Sequence, residues 1–188
     1  MDPTVIVLAA GRGERFLRSG GATHKLRAPL GGVPVLQRVL HTVEASGLPF
    51  HVVRPDGGQA ADGMGDSIAR GVAATTDASG WLILPGDLPL VGAGTLRLVA
   101  QALATDLVVL PFWRGRRGHP VGFGKPCGSS LAMLGGDVGA AAIVRAHRQS
   151  GEVRDLAVDD PGIVMDIDTV DDLARAEALL ALSSGRGT

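Results

Sequence analysis

Cysteine and lysine are scarce and tyrosine is missing: Cys127 is the lone thiol, and only Lys25 and Lys125 are lysine among 18 basic residues. A single thiol excludes an intramolecular disulfide, a cysteine-built zinc cluster and a CxxC redox motif, and reads as a reducing compartment. Two Trp and four Phe in 188 residues leave the core to Ala, Leu and Val. No apolar run reaches the roughly 18 residues of a membrane helix. Met1-Asp2-Pro3-Thr4 runs straight into an apolar segment without the basic and apolar regions of a signal peptide. The expectation is a cytoplasmic protein without a membrane partner. A formal charge of -1 gives no general attraction to nucleic acid either, so phosphate recognition has to be local. Against a background so rich in arginine, a retained lysine suggests a place that needs a compact ammonium.

Two familiar phosphate motifs are also missing. Phe16 stands where the dinucleotide fingerprint needs its third glycine, and no GxxxxGK[ST] sequence occurs. A nicotinamide enzyme and a P-loop ATPase are both disfavoured.

The length suits one domain, expected over residues 1–182 with a disordered tail at 183–188. Val5-Ile6-Val7-Leu8 is a buried strand, Thr4 to Ala9, ending in a glycine-rich loop from Gly11 to Gly21. Apolar residues at Val35, Leu36, Val39, Leu40 and Val43 predict a helix within Val33 to Ala45, stopped by Gly47. Strands follow at Phe50–Val53, Trp81–Leu84 and Leu107–Leu110, alternating with helices at about Gly65–Ala74 and Gly94–Ala104. Such alternation predicts a parallel sheet with helices on both faces. Farther on, Arg114 to Gly118 reads as a turn and Val121–Phe123 as a strand. Helices are predicted at Ser129–Leu134 and Val138–Ser150, strands at Val153–Val158 and Ile163–Ile167, and a last helix at Val170–Leu182.

Leu8-Ala9-Ala10-Gly11-Arg12-Gly13-Glu14-Arg15-Phe16 places glycines at the carboxyl edge of a parallel sheet, where backbone N–H groups face phosphates. Arg12, Arg15 and Lys25 add positive charge. Pro85-Gly86-Asp87 puts a carboxylate at the same edge, suited to a magnesium ligand or to a turn or helix cap. In Asp166-Ile167-Asp168-Thr169-Val170-Asp171-Asp172, an extended backbone turns Asp166 and Asp168 to one side. Alternatively Asp168 or Thr169 caps the last helix, with Asp171 and Asp172 at its positive end.

Leu8-Ala9-Ala10-Gly11-x-Gly13-x-Arg15-Phe16, Lys25-Leu26 and Leu30-Gly31-Gly32-Val33-Pro34-Val35-Leu36 together resemble the opening of the molybdenum cofactor nucleotidyltransferases. The Ala9-Ala10-Gly11 form is more similar to the cytidylyltransferase branch than to the guanylyltransferase branch. Gly63-Met64-Gly65-x-Ser67 resembles a family segment near the nucleotide base and ribose, although Asp66 or Ser67 as a helix cap also accounts for it. Gly118-His119-Pro120 resembles the GHP segment, with His119 either at an acceptor phosphate or fixing its loop. Gly135-Gly136-Asp137 resembles a loop where Asp137 orients the acceptor or caps a helix.

The resemblance spans about Val5 to Leu180 and implies a three-layer α/β fold, mostly parallel, of the Rossmann-like nucleotide-diphospho-sugar transferase type. It implies Mg2+ held by Asp87 and Asp168, with Asp166 as weaker support. It further implies a nucleotide site at Leu8, Ala9, Ala10, Gly11, Arg12, Gly13, Lys25, Gly65, Ser67 and Asp87, and catalytic roles for Arg15, Lys25, Asp87 and Asp168. The donor implied is CTP rather than GTP, and the acceptor is molybdopterin, which His119 and Asp137 would contact. A sugar or alcohol phosphate is the alternative acceptor. A non-catalytic cofactor chaperone serving a molybdenum-enzyme apoprotein is the alternative from another class. One departure is the short span between Val53 and Gly63, where the family usually carries an additional helix and strand.

Overall fold

The computed structural model describes residues 2–55 and 63–184, the last two without side chains. Strand β1 (Thr4–Leu8) leads to a five-residue helix α1 (Glu14–Arg18), and a 3-10 turn at Lys25–Arg27 precedes a hairpin of β2 (Pro29–Leu30) and β3 (Val33–Pro34). Then come α2 (Val35–Ser46), β4 (Phe50–Val53), α3 (Met64–Ala73), β5 (Gly80–Pro85), α4 (Ala93–Ala102) and β6 (Val108–Trp113). After these follow β7 (Arg116–Arg117), β8 (Val121–Gly124), α5 (Gly128–Ala132), α6 (Ala141–Gln149), β9 (Val153–Ala157) and α7 (Val170–Ser184).

The main sheet runs β4-β1-β5-β8-β6-β9, with β7 on the same edge of β6 as β8. β1 is parallel to β4 and β5, and β9 is parallel to β6. β8 is antiparallel to both β5 and β6, so β5 and β6 share a direction and only β7 and β8 run against the rest. The sheet is therefore mostly parallel. Both faces are buried, which explains the unbroken aliphatic strands. Val5 and Val7 join Val39 and Val43 of α2 and Leu96 and Val99 of α4 on one face. Ile6 and Ile83 join Ile68 and Val72 of α3, Leu131 of α5 and Val144 of α6 on the other. A third cluster gathers Phe16, Leu26, Val35, Ile167 and Ala176, anchoring α1 and α7 beside the sheet edge.

Two stretches differ from the sequence pattern. The segment read as a strand at Ile163–Ile167 is instead a 3-10 turn, Pro161–Val164, followed by irregular chain. Asp160 decides this: its carboxylate accepts from the N–H of Gly162 at 2.9 Å, from the N–H of Gly92 at 2.8 Å and from the Thr95 hydroxyl at 2.6 Å. It thereby fastens the turn to the start of α4 instead of to a neighbouring strand, and Pro161 has no N–H to offer a ladder. The glycine-rich loop also contains α1, which burial of Phe16 stabilises. The reduced span after Val53 falls largely on residues 56–62, and the predicted tail on 183–188, both outside the described side chains.

Candidate active site

All five co-directed strands end at one edge of the sheet, and the loops there enclose a cleft of about 840 Å³. Leu8, Ala10, Gly11 and Arg12 come to it from the end of β1, and Asp87 from the end of β5. The two ends are stitched together by the N–H of Gly86 donating to the carbonyl of Leu8 at 2.9 Å. His24 braces the glycine loop. Its Nδ1 accepts from the N–H of Leu26 at 3.3 Å, which leaves Nε2 to donate to the Gly11 carbonyl at 2.8 Å.

Lys25 sits at the centre. Its Nζ donates to Asp87 Oδ2 at 2.6 Å and to Asp168 Oδ1 at 2.7 Å. Burial works against the ammonium, but the two carboxylates outweigh it and hold the Lys25 pKa above the ordinary lysine value. Asp168 is held below the usual carboxylate range, first by its hydrogen bond from Lys25, against burial, and then by the charges of Lys25 and Arg15. Arg15, largely exposed, reaches Asp168 Oδ2 at 3.2 Å from α1. Arg15 and Gly13 line a smaller recess beside the cleft together with Lys25 and Asp168, while Ala9 is buried in the third core cluster.

Asp168 is placed by the start of α7. The Thr169 hydroxyl accepts from the N–H of Asp172 at 3.2 Å, and Asp172 Oδ2 accepts from the N–H groups of Asp168 and Thr169 at 3.1 and 2.7 Å. This is a reciprocal cap with Thr169 at its head, so Asp168 is left outside the helix to face Lys25. The N–H of Ile167 donates to the carbonyl of Asp87 at 2.9 Å, holding the two acidic motifs side by side. Asp87 itself caps no helix, since α4 begins beyond Gly92. Its Oδ1 is buried without a hydrogen-bond partner.

The other walls come from α3 and from the β7 side. Ser67 is buried and lines the cleft, as do Asp137, His119, Asp166, Arg116 and Arg117. Asp66 is the capping residue of α3: its Oδ2 accepts from the N–H of Gly63 at 3.1 Å, and its Oδ1 from the N–H of Gly136 at 3.0 Å. Gly65 lies outside the cleft lining, where its N–H donates to the Gly136 carbonyl at 2.8 Å. Asp137 caps nothing, because α6 starts only at Ala141 without a side-chain cap. His119 Nδ1 is buried and unpartnered. Burial holds the His119 pKa below the ordinary histidine value, although the Ile83 backbone and the Asp87 charge push the other way.

Arg116 and Arg117 are the cleft residues that the sequence pattern passed over as part of a turn. Trp113 pairs with Arg116 around a two-residue connection, Arg114-Gly115, with both φ angles positive, the geometry of a tight hairpin. Arg114 stacks over the Trp113 ring at 5.0 Å. The signal was there in the sequence as a glycine flanked by residues able to pair, but nothing local says that the hairpin folds against the cleft. Among the described residues no cluster of three or more metal-ligating side chains occurs, and no helix is long and apolar enough to cross a membrane.

The family model of the MobA-like NTP transferase domain matches residues 5–152. The chain belongs to that family. That family is described as an NTP transferase domain, and the mostly parallel sheet agrees with the fold of the solved structures below. Bifunctional protein GlmU of Leifsonia xyli subsp. xyli is similar, 32% identical over 79% of this chain and 35% of its own length. The chain thus spans about a third of that curated relative. Among solved structures, a nucleotidyl transferase from Methanothermobacter thermautotroptrophicus aligns with TM-score 0.77 at 22% identity, over 97% of this chain and 99% of its own. Rv0371c from Mycobacterium tuberculosis H37Rv, in complex with manganese, aligns with TM-score 0.70 at 24% identity, over 95% of this chain and 99% of its own.

Proposed function

We propose that the protein transfers a nucleoside monophosphate, CMP in preference to GMP, from a nucleoside triphosphate to the phosphate of molybdopterin, with release of pyrophosphate. The observation that carries the reading is the meeting of Lys25, Asp87 and Asp168 at the carboxyl edge of the sheet. A glycine loop with Arg12 and Arg15 beside that trio supplies donors for the triphosphate. The cytidine preference rests on Ala9-Ala10-Gly11, and the acceptor on the similarity of the later motifs to molybdenum cofactor enzymes.

Asp87 and Asp168 fit a divalent cation such as Mg2+: they are hard oxygen donors, and Asp87 Oδ1 is a buried oxygen with no hydrogen-bond partner. Bound there, the cation would neutralise charge on the triphosphate oxygens. The chain's own residues do the remaining work. Lys25 balances phosphate charge, the loop N–H groups and Arg15 hold the leaving pyrophosphate, and the cap on α7 keeps Asp168 in place. No covalent intermediate with the protein is required, because positioning and charge neutralisation carry phosphoryl-type transfer.

The deciding experiment mixes protein, Mg2+ and molybdopterin with each nucleoside triphosphate in turn and follows pyrophosphate, with Asp87→Ala as control. Acceptor-dependent release with CTP, absent in the control, is the expected result. Release only with a sugar phosphate in place of molybdopterin would transfer the reading to that acceptor class. Nucleotide binding without release under any condition would replace turnover by a chaperone role.

A further inference from the structure

The charges on the glycine-loop and α3 sides of the cleft and its neighbouring recess are already engaged. Lys25 is shared by Asp87 and Asp168, Arg15 reaches Asp168, and Asp66 accepts from two backbone N–H groups. Arg12 lies on the loop after β1 beside Glu14, 3.6 Å away. Arg116 and Arg117 are different. Both are exposed, both line the cleft, and among the described residues neither guanidinium has a hydrogen-bond, ion-pair or ring partner. As neighbours on a strand they leave the sheet on opposite faces, yet both line the one cleft, and two cations without a partner there call for an anion.

Their place in the sheet says which anion. β9 occupies one edge of β6, so β7 and β8 share the other, and β7 stands in line with β8, two strand positions from β1 along β1-β5-β8, on the order of 10 Å at the usual strand spacing. Asp87 follows β5, between the two. In phosphoryl-type transfer the attacking and leaving oxygens lie roughly in line through the reacting phosphorus. If the glycine loop beyond β1 holds the leaving pyrophosphate, the attacking group arrives from the β7 side.

We propose that Arg116 and Arg117 form a clamp for the phosphate monoester of the acceptor, an assignment that rests on the nucleotidyltransferase reading given above. A guanidinium suits this task because its planar fork donates two parallel hydrogen bonds to phosphate oxygens. The hairpin supplies a rigid mount: Arg117 pairs with Phe112 and Arg116 with Trp113, and the next residues are fixed by the N–H of His119 donating to the Ile163 carbonyl at 2.9 Å. Asp166 lines the same cleft, its charge and that of Arg117 both reaching His119, and it offsets one of the two charges. A dianionic monoester therefore meets a clamp of net positive charge without over-tight retention. The clamp recognises the phosphate and leaves the rest of the acceptor to other walls of the cleft.

The test uses the whole chain and phenyl phosphate as a minimal monoester, with molybdopterin alongside, both titrated calorimetrically in the presence of Mg2+ and a non-hydrolysable CTP analogue. For the Arg116→Ala/Arg117→Ala double variant the expected result is affinity for both monoesters lower by about 10- to 100-fold, in the range for lost charged hydrogen bonds. Analogue affinity should stay within about 2-fold, and the melting midpoint within about 2 °C, as for an exposed substitution. Arg117→Lys should fall between, since it keeps the charge and loses the fork. Unchanged monoester affinity in the double variant, or no monoester binding by the wild type, overturns the clamp. Failure of the wild type to bind the nucleotide analogue sinks the nucleotidyltransferase reading itself and the clamp with it.

Discussion

Ile167 donates its backbone N–H to the carbonyl of Asp87 at 2.9 Å. That bond sets the loop before α7 alongside the end of β5, so that Asp168 and Asp87 present carboxylates to the same ammonium, Lys25. Side chains distant in sequence become one electrostatic unit.

Removing that ammonium leaves two carboxylates facing each other without a counter-charge. Lys25→Met should lower turnover by about 100-fold or more, the scale for a lost charge stabiliser, as read from pyrophosphate release at saturating nucleotide. It should also cost on the order of 1–3 kcal/mol of stability, less than the loss from a fully buried pair because Asp168 is 31% exposed. Lys25→Arg should not restore turnover, since a planar fork cannot replace a point charge between two carboxylates. Wild-type activity in the Met variant would remove Lys25 from the chemistry.

The cap on α7 gives a pH signature. Burial opposes the Asp172 charge, but the Thr169 hydroxyl, the N–H groups of Thr169 and Asp168, and Arg175 outweigh it and depress the carboxyl pKa. A pKa lower in the folded than in the unfolded chain stabilises above the unfolded value and loses that contribution as pH falls through the folded one. Asp172→Ala should therefore cost about 1 kcal/mol at pH 7, and the gap to wild type should narrow below about pH 3.9, the ordinary carboxylate value. Urea unfolding at a series of pH values measures both. A gap independent of pH would show that the carboxylate charge contributes nothing.

Two glycines should respond oppositely to alanine. A Cβ at Gly63 would stand 2.0 Å from the carbonyl carbon and oxygen of Gly136, so Gly63→Ala must push the α3 start and the Gly135–Asp137 loop apart. The expected cost is about 1–3 kcal/mol, with weakened nucleotide binding. At Gly94, in the first turn of α4, a Cβ meets nothing within 4 Å. Gly94→Ala should be neutral or stabilise by up to about 1 kcal/mol. Thermal or urea melts of the two variants compare them directly, and equal losses at the two positions would refute the close approach.

Cys127 should be inert in the native protein. It is 1% exposed, and burial, aided by the Glu152 charge, pushes its thiol up to about 11. His147 stands 3.6 Å from the sulfur and 2.8 Å from Glu152, an arrangement that outwardly suggests an activated nucleophile. A thiol so high in pKa stays protonated at pH 8. Labelling with a chromogenic disulfide should be slower than in the guanidinium-unfolded chain by about 100-fold or more, the combined effect of burial and protonation. Native labelling at the unfolded rate would show the pair to be reactive.

Lysine scarcity turned out to have two meanings. Lys25 joins the acidic pair, whereas Lys125 is structural: its Nζ donates to the carbonyls of Thr76 and, at 3.0 Å, Ala78, and lies over the Trp81 ring. Composition alone could not separate the two roles.

Residue patterning was enough for the layers and for the sheet edge at which the glycine loop and Asp87 meet. Aliphatic strands buried on both faces demand covering helices, and loops at the ends of β1 and β5 fall on one edge because those strands run together. Tertiary structure alone decided the rest. The path of residues 161–167 depends on Asp160 bonding across to α4, and the reversal of β8 between β5 and β6 depends on pairing between distant segments. The placement of Arg116 and Arg117 in the cleft follows from a hairpin whose local turn signal carries no direction. Periodicity records which face of an element is apolar, but long-range hydrogen bonds and ion pairs choose what that face and its loops meet.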